Sequence, residues 1–203
     1  MFNILGTEND IIKQDLAIHG LSLFDYFDIK YVILNKKLGT EPVFTERIPI
    51  VVPETRQTIS EILKQDNPDY EDGEIIVYKI PNPNSSEPFL VLGSGWHVFQ
   101  PDHDARATMK NSEILIINPT NSEIDITLSL ILYSVENEKI VTVYMNNEKL
   151  NETSVPTEPI NLQIKNLTLE PGTNVVILDT DEFTLSKNNL ETSFGVRSIL
   201  IMN

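Results

Sequence analysis

The sequence contains no cysteine. Disulfides, thiolate zinc sites and cysteine nucleophiles are therefore excluded, and either redox compartment is open to the chain. It is also short of positive charge, with 15 Lys and Arg against 30 Asp and Glu and a net charge of -15. A polyanion repels phosphate backbones and anionic lipid surfaces, so no nucleic acid is expected as a partner, and the charge reads first as solubility. Long apolar runs are missing too. The stretch 126–135 is interrupted by Thr127 and Ser129, whereas a membrane-spanning helix needs about 20 mostly apolar residues. Met1–Gly6 lacks the basic end and apolar stretch of a signal peptide. That leaves two readings, a chain without a secretory leader or one whose natural start lies upstream of Met1. No glycine-rich phosphate loop occurs, and Ser94 in Gly93-Ser94-Gly95 lacks the Gly-x-Ser-x-Gly elbow of a hydrolase.

What remains is a chain of 203 residues with 40% hydrophobic and 22% charged residues, ordinary values for a globular protein. Residues 1–80 mix helix and strand signals. Leu21, Phe24 and Phe27 recur at helical spacing, and Ile29–Leu34 reads as a buried strand. Thr58 and Glu61 have capping-box spacing and open a short helix carrying Ile59, Ile62 and Leu63 on one face. After the Glu71-Asp72-Gly73 turn, Glu74–Ile80 reads as a second strand. The expectation is a strand–helix–strand lead-in with a parallel pair crossed over by the helix.

Residues 81–88, Pro-Asn-Pro-Asn-Ser-Ser-Glu-Pro, form a breaker-rich linker. Beyond Pro88 only strand signals recur. Ile124, Ile126, Leu128, Leu130 and Leu132 alternate with Asp125, Thr127, Ser129, Ile131 and Tyr133, which predicts one buried and one wetter face. Asn146-Asn147 suits a tight hairpin turn, and Pro171-Gly172 marks another. Seven or eight such strands over residues 89–203 predict a mainly β fold, a jelly-roll-like β-sandwich.

Several segments also carry a resemblance. Phe24–Leu34 resembles a helix followed by an (N/G)(V/I)(K/R)Y(V/I)(I/L) element, Glu71–Ile80 a "yEDe.i.vYki" strand, and Gly95-Trp96-His97 with Arg106–Met109 a GW(H/Y)…RWM stretch. Together they resemble the soluble C-terminal region of multi-span, GT-C-like membrane glycosyltransferases of archaea and bacteria, relatives of the dolichyl-phosphate-mannose protein mannosyltransferases. Val141–Leu150 looks like the "v.vyvNg..v" hairpin of sugar-binding sandwiches and Leu169–Val176 like their "l.pG.N.i" turn. The chain departs from the pattern at Gln100, where the family often carries an acid, and at Ala107, where it carries an aromatic. The resemblance implies an accessory domain on the extracytoplasmic face of the membrane, positioning a glycan or glycoprotein acceptor beside its own transmembrane portion. The family's catalytic acids lie in that membrane portion, so no catalytic residue and no cofactor is carried over.

In that setting Tyr133 and Tyr144, at non-core parity on their strands, are the candidates for a shallow saccharide platform, with Trp96 an alternative ring that also suits the core. His97, Asp102, His103 and Asp104 hold the donor atoms of a divalent-metal site, at a spacing that matches no standard motif, in a segment read as a loop. Arg106 is expected to pair with Asp102 or Asp104. Asn84, Asn151 and Asn166 begin glycosylation triplets. A free-standing carbohydrate-binding or adhesion module, cytoplasmic if there is no leader, is the alternative function. A soluble hydrolase built on Ser94 and a histidine is the third.

Overall fold

The computed structural model describes residues 10–36, 52–81, 86–100, 104–181, 184–185 and 191–202. They divide into two compact units. One is Leu16–Ser85, and the other joins residues 10–15 to Ser86–Asn203. The lead-in expected over 1–80 thus gives up residues 10–15 to the sandwich.

The smaller unit holds most of helix α1 (Ile11–Tyr26), strand β1 (Tyr31–Asn35), helix α2 (Val52–Leu63), and strands β2 (Tyr70–Glu71) and β3 (Ile75–Lys79). Its buried apolar side chains among the described residues are Leu16, Leu23, Phe24, Leu34, Ile59, Ile62, Leu63, Ile76, Tyr78 and Ile80. Helix α1 closes on Asp28, whose positive φ of 52° ends the helix while Ile29 N–H bonds back to the Phe24 carbonyl. Gly20 lets α1 meet α2, because a Cβ there would stand 2.5 Å from Ile62 Cγ2.

Several expectations for this unit need correction. The sheet order is β1-β3-β2 and every pair is antiparallel, so the expected parallel pair β1/β3 does not exist. The cause is the two-residue strand β2. It runs parallel to β1, and the Asp72 turn then folds β3 back between them. Asp72 accepts the N–H groups of Glu74 and Ile75, which hold its carboxyl down at about 2. Strand β1 is an edge strand, with Tyr31 56% and Ile33 63% exposed, and so is not buried. Thr58 lies inside α2, which starts six residues earlier with Pro53 tolerated in its first turn. Phe27 falls beyond the end of α1 and is exposed.

The larger unit is the expected mainly β sandwich. Its strands are β4 (Phe89–Leu92), β5 (Trp96–Gln100), β6 (Ala105–Thr108), β7 (Asn111–Asn118), β8 (Ile124–Ser134), β9 (Lys139–Met145), β10 (Glu148–Val155), β11 (Ile160–Leu169), β12 (Gly172–Asp179), β13 (Thr184–Leu185), β14 (Glu191–Thr192) and β15 (Phe194–Met202). The first sheet has order β10-β9-β12-β7-β4 and the second β11-β8-β15-β6-β5, all antiparallel, with β13 and β14 a separate ribbon. From β7 onward the chain passes back and forth between the sheets in jelly-roll fashion. The core half of the β8 alternation is as expected: Ile126, Leu128, Leu130 and Leu132 are 0–3% exposed and face Val141, Val143, Val176 and Leu178 of the first sheet in one core. Each such side chain contributes about 1.5–3 kcal/mol by leaving water. Ser129, expected on the wetter face, is buried too, and its hydroxyl donates to Asn161 Oδ1 of β11. Asn146 and Asn147 both take positive φ in the β9–β10 turn. Strand β11 is interrupted by a bulge at Asn166, which takes a positive φ of 55°. The region 96–106, read as a loop, contributes β5 and β6.

The start of α1 belongs to this sandwich. Asp10 is 1% exposed and caps the helix by accepting the Ile12 N–H, while Ile11 enters the core. Arg106 of β6 meets Asp10 as a two-point fork, Nε to Oδ1 at 2.7 Å and Nη2 to Oδ2 at 2.6 Å. Its carboxylate partner among the described residues is therefore Asp10, 96 positions away, and not Asp104, while Asp102 lies outside the described residues. Replacing Arg106 with Ala strands a buried carboxylate, and the expected loss is about 3–5 kcal/mol of stability, read as a lower urea midpoint.

Asp15 sits on the next turn, 5% exposed, with its Oδ2 accepting the Leu90 N–H at 3.3 Å. Burial pushes its carboxyl up to about 7 against the pull of that N–H. Between the ordinary value of 3.8 and about 7 the folded chain keeps a proton that the unfolded chain has lost, so this contribution to stability falls as pH rises through the window. Asp15→Asn keeps the acceptor and removes the charge. The variant is expected to match the parent near about pH 4 and to exceed it by ~2–4 kcal/mol above about pH 7 in urea titrations.

Candidate functional site

The outer face of the first sheet carries a shallow groove of about 390 Å³ lined by Asn111, Glu113, Tyr144, Asn147, Ile177 and Asp179. Strand register assembles it. Tyr144 of β9 stands opposite Ile177 of β12, which stands opposite Glu113 of β7. One step along, Asp179 pairs with Asn111. Tyr144 points outward because Val143, beside it, points into the core. The half-buried Ile177 gives the groove an apolar floor between two carboxylates and two amides. On the far side Lys149, opposite Tyr144 on β10, is paired to Glu152 at 2.7 Å, so this ammonium is neutralised beside the groove.

The turn chemistry around the groove explains two of the motif segments. Asn146 Oδ1 accepts the Val175 N–H and ties the β9–β10 hairpin to β12. Asn174, fully buried, donates to the carbonyls of Glu170 and Gly172 and accepts the Glu170 N–H, which shapes the Pro171-Gly172 turn. The "N" positions of both patterns are thus internal staples, not ligand contacts.

Gly93-Ser94-Gly95-Trp96 is the corner at which the chain leaves the first sheet for the second. Glu113 Oε2 accepts the Ser94 N–H at 3.1 Å, which orients that groove carboxylate. Trp96 packs half-buried on the core, and its indole N–H donates to the Glu113 carbonyl at 2.7 Å, a bond between the two sheets. Trp96 is therefore an anchor, and of its two expected roles the core one describes it. Gly95 has a φ of 84°, and a Cβ on it would fall 1.9 Å from the Asn111 carbonyl oxygen.

Tyr133 lies on the outer face of the second sheet and Tyr144 on that of the first, so the two do not form one platform. A Cβ on Gly195 would come within 2.2 Å of the Tyr133 ring, and the Arg197 guanidinium lies 5.1 Å from the ring centroid. Tyr133 is thus packed against its own sheet. Burial raises its hydroxyl above the ordinary value, partly offset by Arg197.

Of the metal candidates, Asp102 and His103 lie outside the described residues. His97 is in β5, where its carbonyl accepts from Arg106, and Asp104 takes a positive φ of 51° just before β6. Among the described residues no three His, Asp or Glu side chains gather as metal donors. No histidine bonds Ser94 among the described residues, so the nucleophile–base contact of a hydrolase does not form there. Asn166 is exposed on the β11 bulge and Asn151 half-buried, while Asn84 lies outside the described residues. Sequence reasoning found Tyr144 by parity but missed Glu113, Ile177 and Asp179. Their strands were legible, but the pairing that makes them neighbours is set by a topology no local pattern encodes.

No family model and no curated protein matches the chain. Solved structures with partial likeness include the Podospora anserina GH26-CBM35 β-(1,4)-mannanase, 13% identical with a TM-score of 0.37, of which the chain spans only 28% while 58% of this chain is covered. A family 35 carbohydrate-binding module from an environmental isolate is 16% identical with a TM-score of 0.34, over 55% of this chain and 74% of that one. The CBM35 from Cellvibrio japonicus Abf62 is 14% identical with a TM-score of 0.36, over 58% and 94%.

The Gly95 corner sets up a direct test. Gly95→Ala is expected to destabilise the sandwich by roughly 2–4 kcal/mol, through backbone strain and the carbonyl clash together. Thermal unfolding followed by Trp96 fluorescence would report the loss.

Proposed function

We propose that the sandwich is a non-catalytic carbohydrate-binding module whose ligand lies across Tyr144 on the outer face of the first sheet. The observation that carries this reading is the composition of the groove. An aromatic ring beside an apolar floor suits the C–H face of a pyranose, and carboxylates and amides at its rim suit hydroxyl groups, which both donate and accept. Glu113 and Asp179 make the groove acidic, which favours a neutral, hydroxyl-rich ligand over an anionic one.

The sequence motifs support a narrower setting for the same groove. As the accessory domain of a membrane glycosyltransferase on the extracytoplasmic face, it would receive the acceptor glycan. A transmembrane segment encoded upstream of residue 1 would favour that setting, and its absence would favour a free-standing module.

Tyr144→Ala is expected to weaken binding on a glycan array by about tenfold or more, a loss of ~1.4 kcal/mol or above, with the unfolding midpoint unchanged. If the parent protein retains no neutral glycan at millimolar concentration, the binding role is wrong and the sandwich is structural.

A further inference from the structure

The three-stranded sheet of the smaller unit has two unlike faces. Leu34 of β1 and Ile76 and Tyr78 of β3 are buried, and Glu71 of β2, opposite Ile76, reaches Arg56 of α2 at 3.1 Å. These residues mark the helix side. Side chains alternate across a strand, so Tyr31 and Ile33 of β1, Ile75, Val77 and Lys79 of β3, and Tyr70 of β2 stand on the other face. Register draws them together. Ile33 pairs with Val77 and Val77 with Tyr70, an apolar row across all three strands. Tyr31, beside Lys79, lies on one side of that row, and Ile75, beside Asn35, on the other.

An antiparallel sheet with one solvated face normally turns polar residues outward. This sheet turns out tyrosine, isoleucine and valine. Tyr31, Ile33 and Tyr70 are each more than half exposed. A contiguous apolar patch with a polar rim marks an interaction surface. The rim here is bipolar. Lys79 stands at the Tyr31 end. Asp72 stands at the other, where its Oδ2 accepts the Tyr70 hydroxyl at 2.8 Å and the N–H groups of Glu74 and Ile75 keep it charged.

We propose that this face is a homodimer interface, in which two copies stack sheet to sheet about a twofold axis that runs across the strands. The charges select both the occupant and the axis. With the axis across the strands, the row of Ile33, Val77 and Tyr70 lies on its own copy, and each Lys79 comes to the end that holds the partner subunit's Asp72. With the axis along the strands, Lys79 would meet its own copy. A twofold contact must be self-complementary, and the first arrangement is while the second is not. Strands β1 and β3 are five residues long, so the face measures roughly 14 by 17 Å. That footprint is at the small end of specific interfaces, and a micromolar dissociation constant is expected. The interface belongs to the smaller unit alone and does not depend on the glycan groove.

The test is sedimentation of the whole 203-residue chain from low micromolar to submillimolar concentration. A reversible monomer–dimer equilibrium is expected. Ile33→Asp places a charge in the apolar row on an exposed side chain, and is expected to weaken dimerisation by about tenfold or more. Lys79→Glu sets like charges together at both ends of the stack. Its loss is expected to be of similar size and greatest at low salt. A parent chain that stays monomeric throughout would overturn the assignment, even if some other protein binds this face. Dimers that persist unchanged in a folded Ile33→Asp variant would place the contact elsewhere and overturn it too. Dimers indifferent to Lys79→Glu would remove the charge pairing that selects a second copy, and with it the proposal.

Discussion

The Asp10 carboxylate has two duties with one pair of oxygens. It starts helix α1 by accepting the Ile12 N–H, and it takes both prongs of the Arg106 fork. At 1% exposure neither duty can be handed to water. Much follows from this contact. It fixes the first turn of α1 to β6, sets Ile11 into the sandwich core and brings Asp15 under the Leu90 amide. Buried ion pairs add little net stability over a well-packed apolar alternative, but they penalise any arrangement that separates the partners. The pair therefore acts mainly as a register lock, joining residues that the chain order sets 96 positions apart.

Once the sandwich is so locked, its two outer faces diverge in chemistry. The first sheet presents Tyr144 and Ile177 among Glu113, Asp179 and amides. The second presents Arg197 on Tyr133. Both faces are shaped by glycines. Gly95 lets the chain turn from one sheet to the other beneath Trp96, and Gly195 opens the space that Tyr133 fills. The single tryptophan, which composition alone makes a conspicuous sugar-stacking candidate, is committed to holding the sheets together through its bond to the Glu113 carbonyl.

Legibility in the sequence followed the range of the interactions. Strand β8 sends Ile126, Leu128, Leu130 and Leu132 at every second position into a single core, and Asn146-Asn147 encodes the β9–β10 turn within the pair itself, so both could be read locally. Strand β2 is two residues long, too short for any periodicity, yet it reverses β3 and so decides the sheet order. In β5 the register slips between Trp96 and Phe99, which breaks the alternation and makes a strand look like a polar loop. The Arg106–Asp10 pair was hidden by distance, because two aspartates within four residues of Arg106 drew the expectation to themselves. The groove was half legible: parity singled out Tyr144, while its neighbours come from β7 and β12, brought alongside only by the completed topology.

The placement of β15 has a consequence for the order in which the sheet can be completed. It is the middle strand of the second sheet, flanked by β8 and β6, and it comprises residues 194–202. During synthesis β8 therefore waits, with one hydrogen-bonding edge open, for some sixty further residues to be made. Sheets closed by distant pairings form slowly, because chain closure is paid in entropy before contacts compensate it. The exposed β8 edge, with Leu128, Leu130 and Leu132 beside it, is then the part of the nascent chain most in need of shielding from other strands.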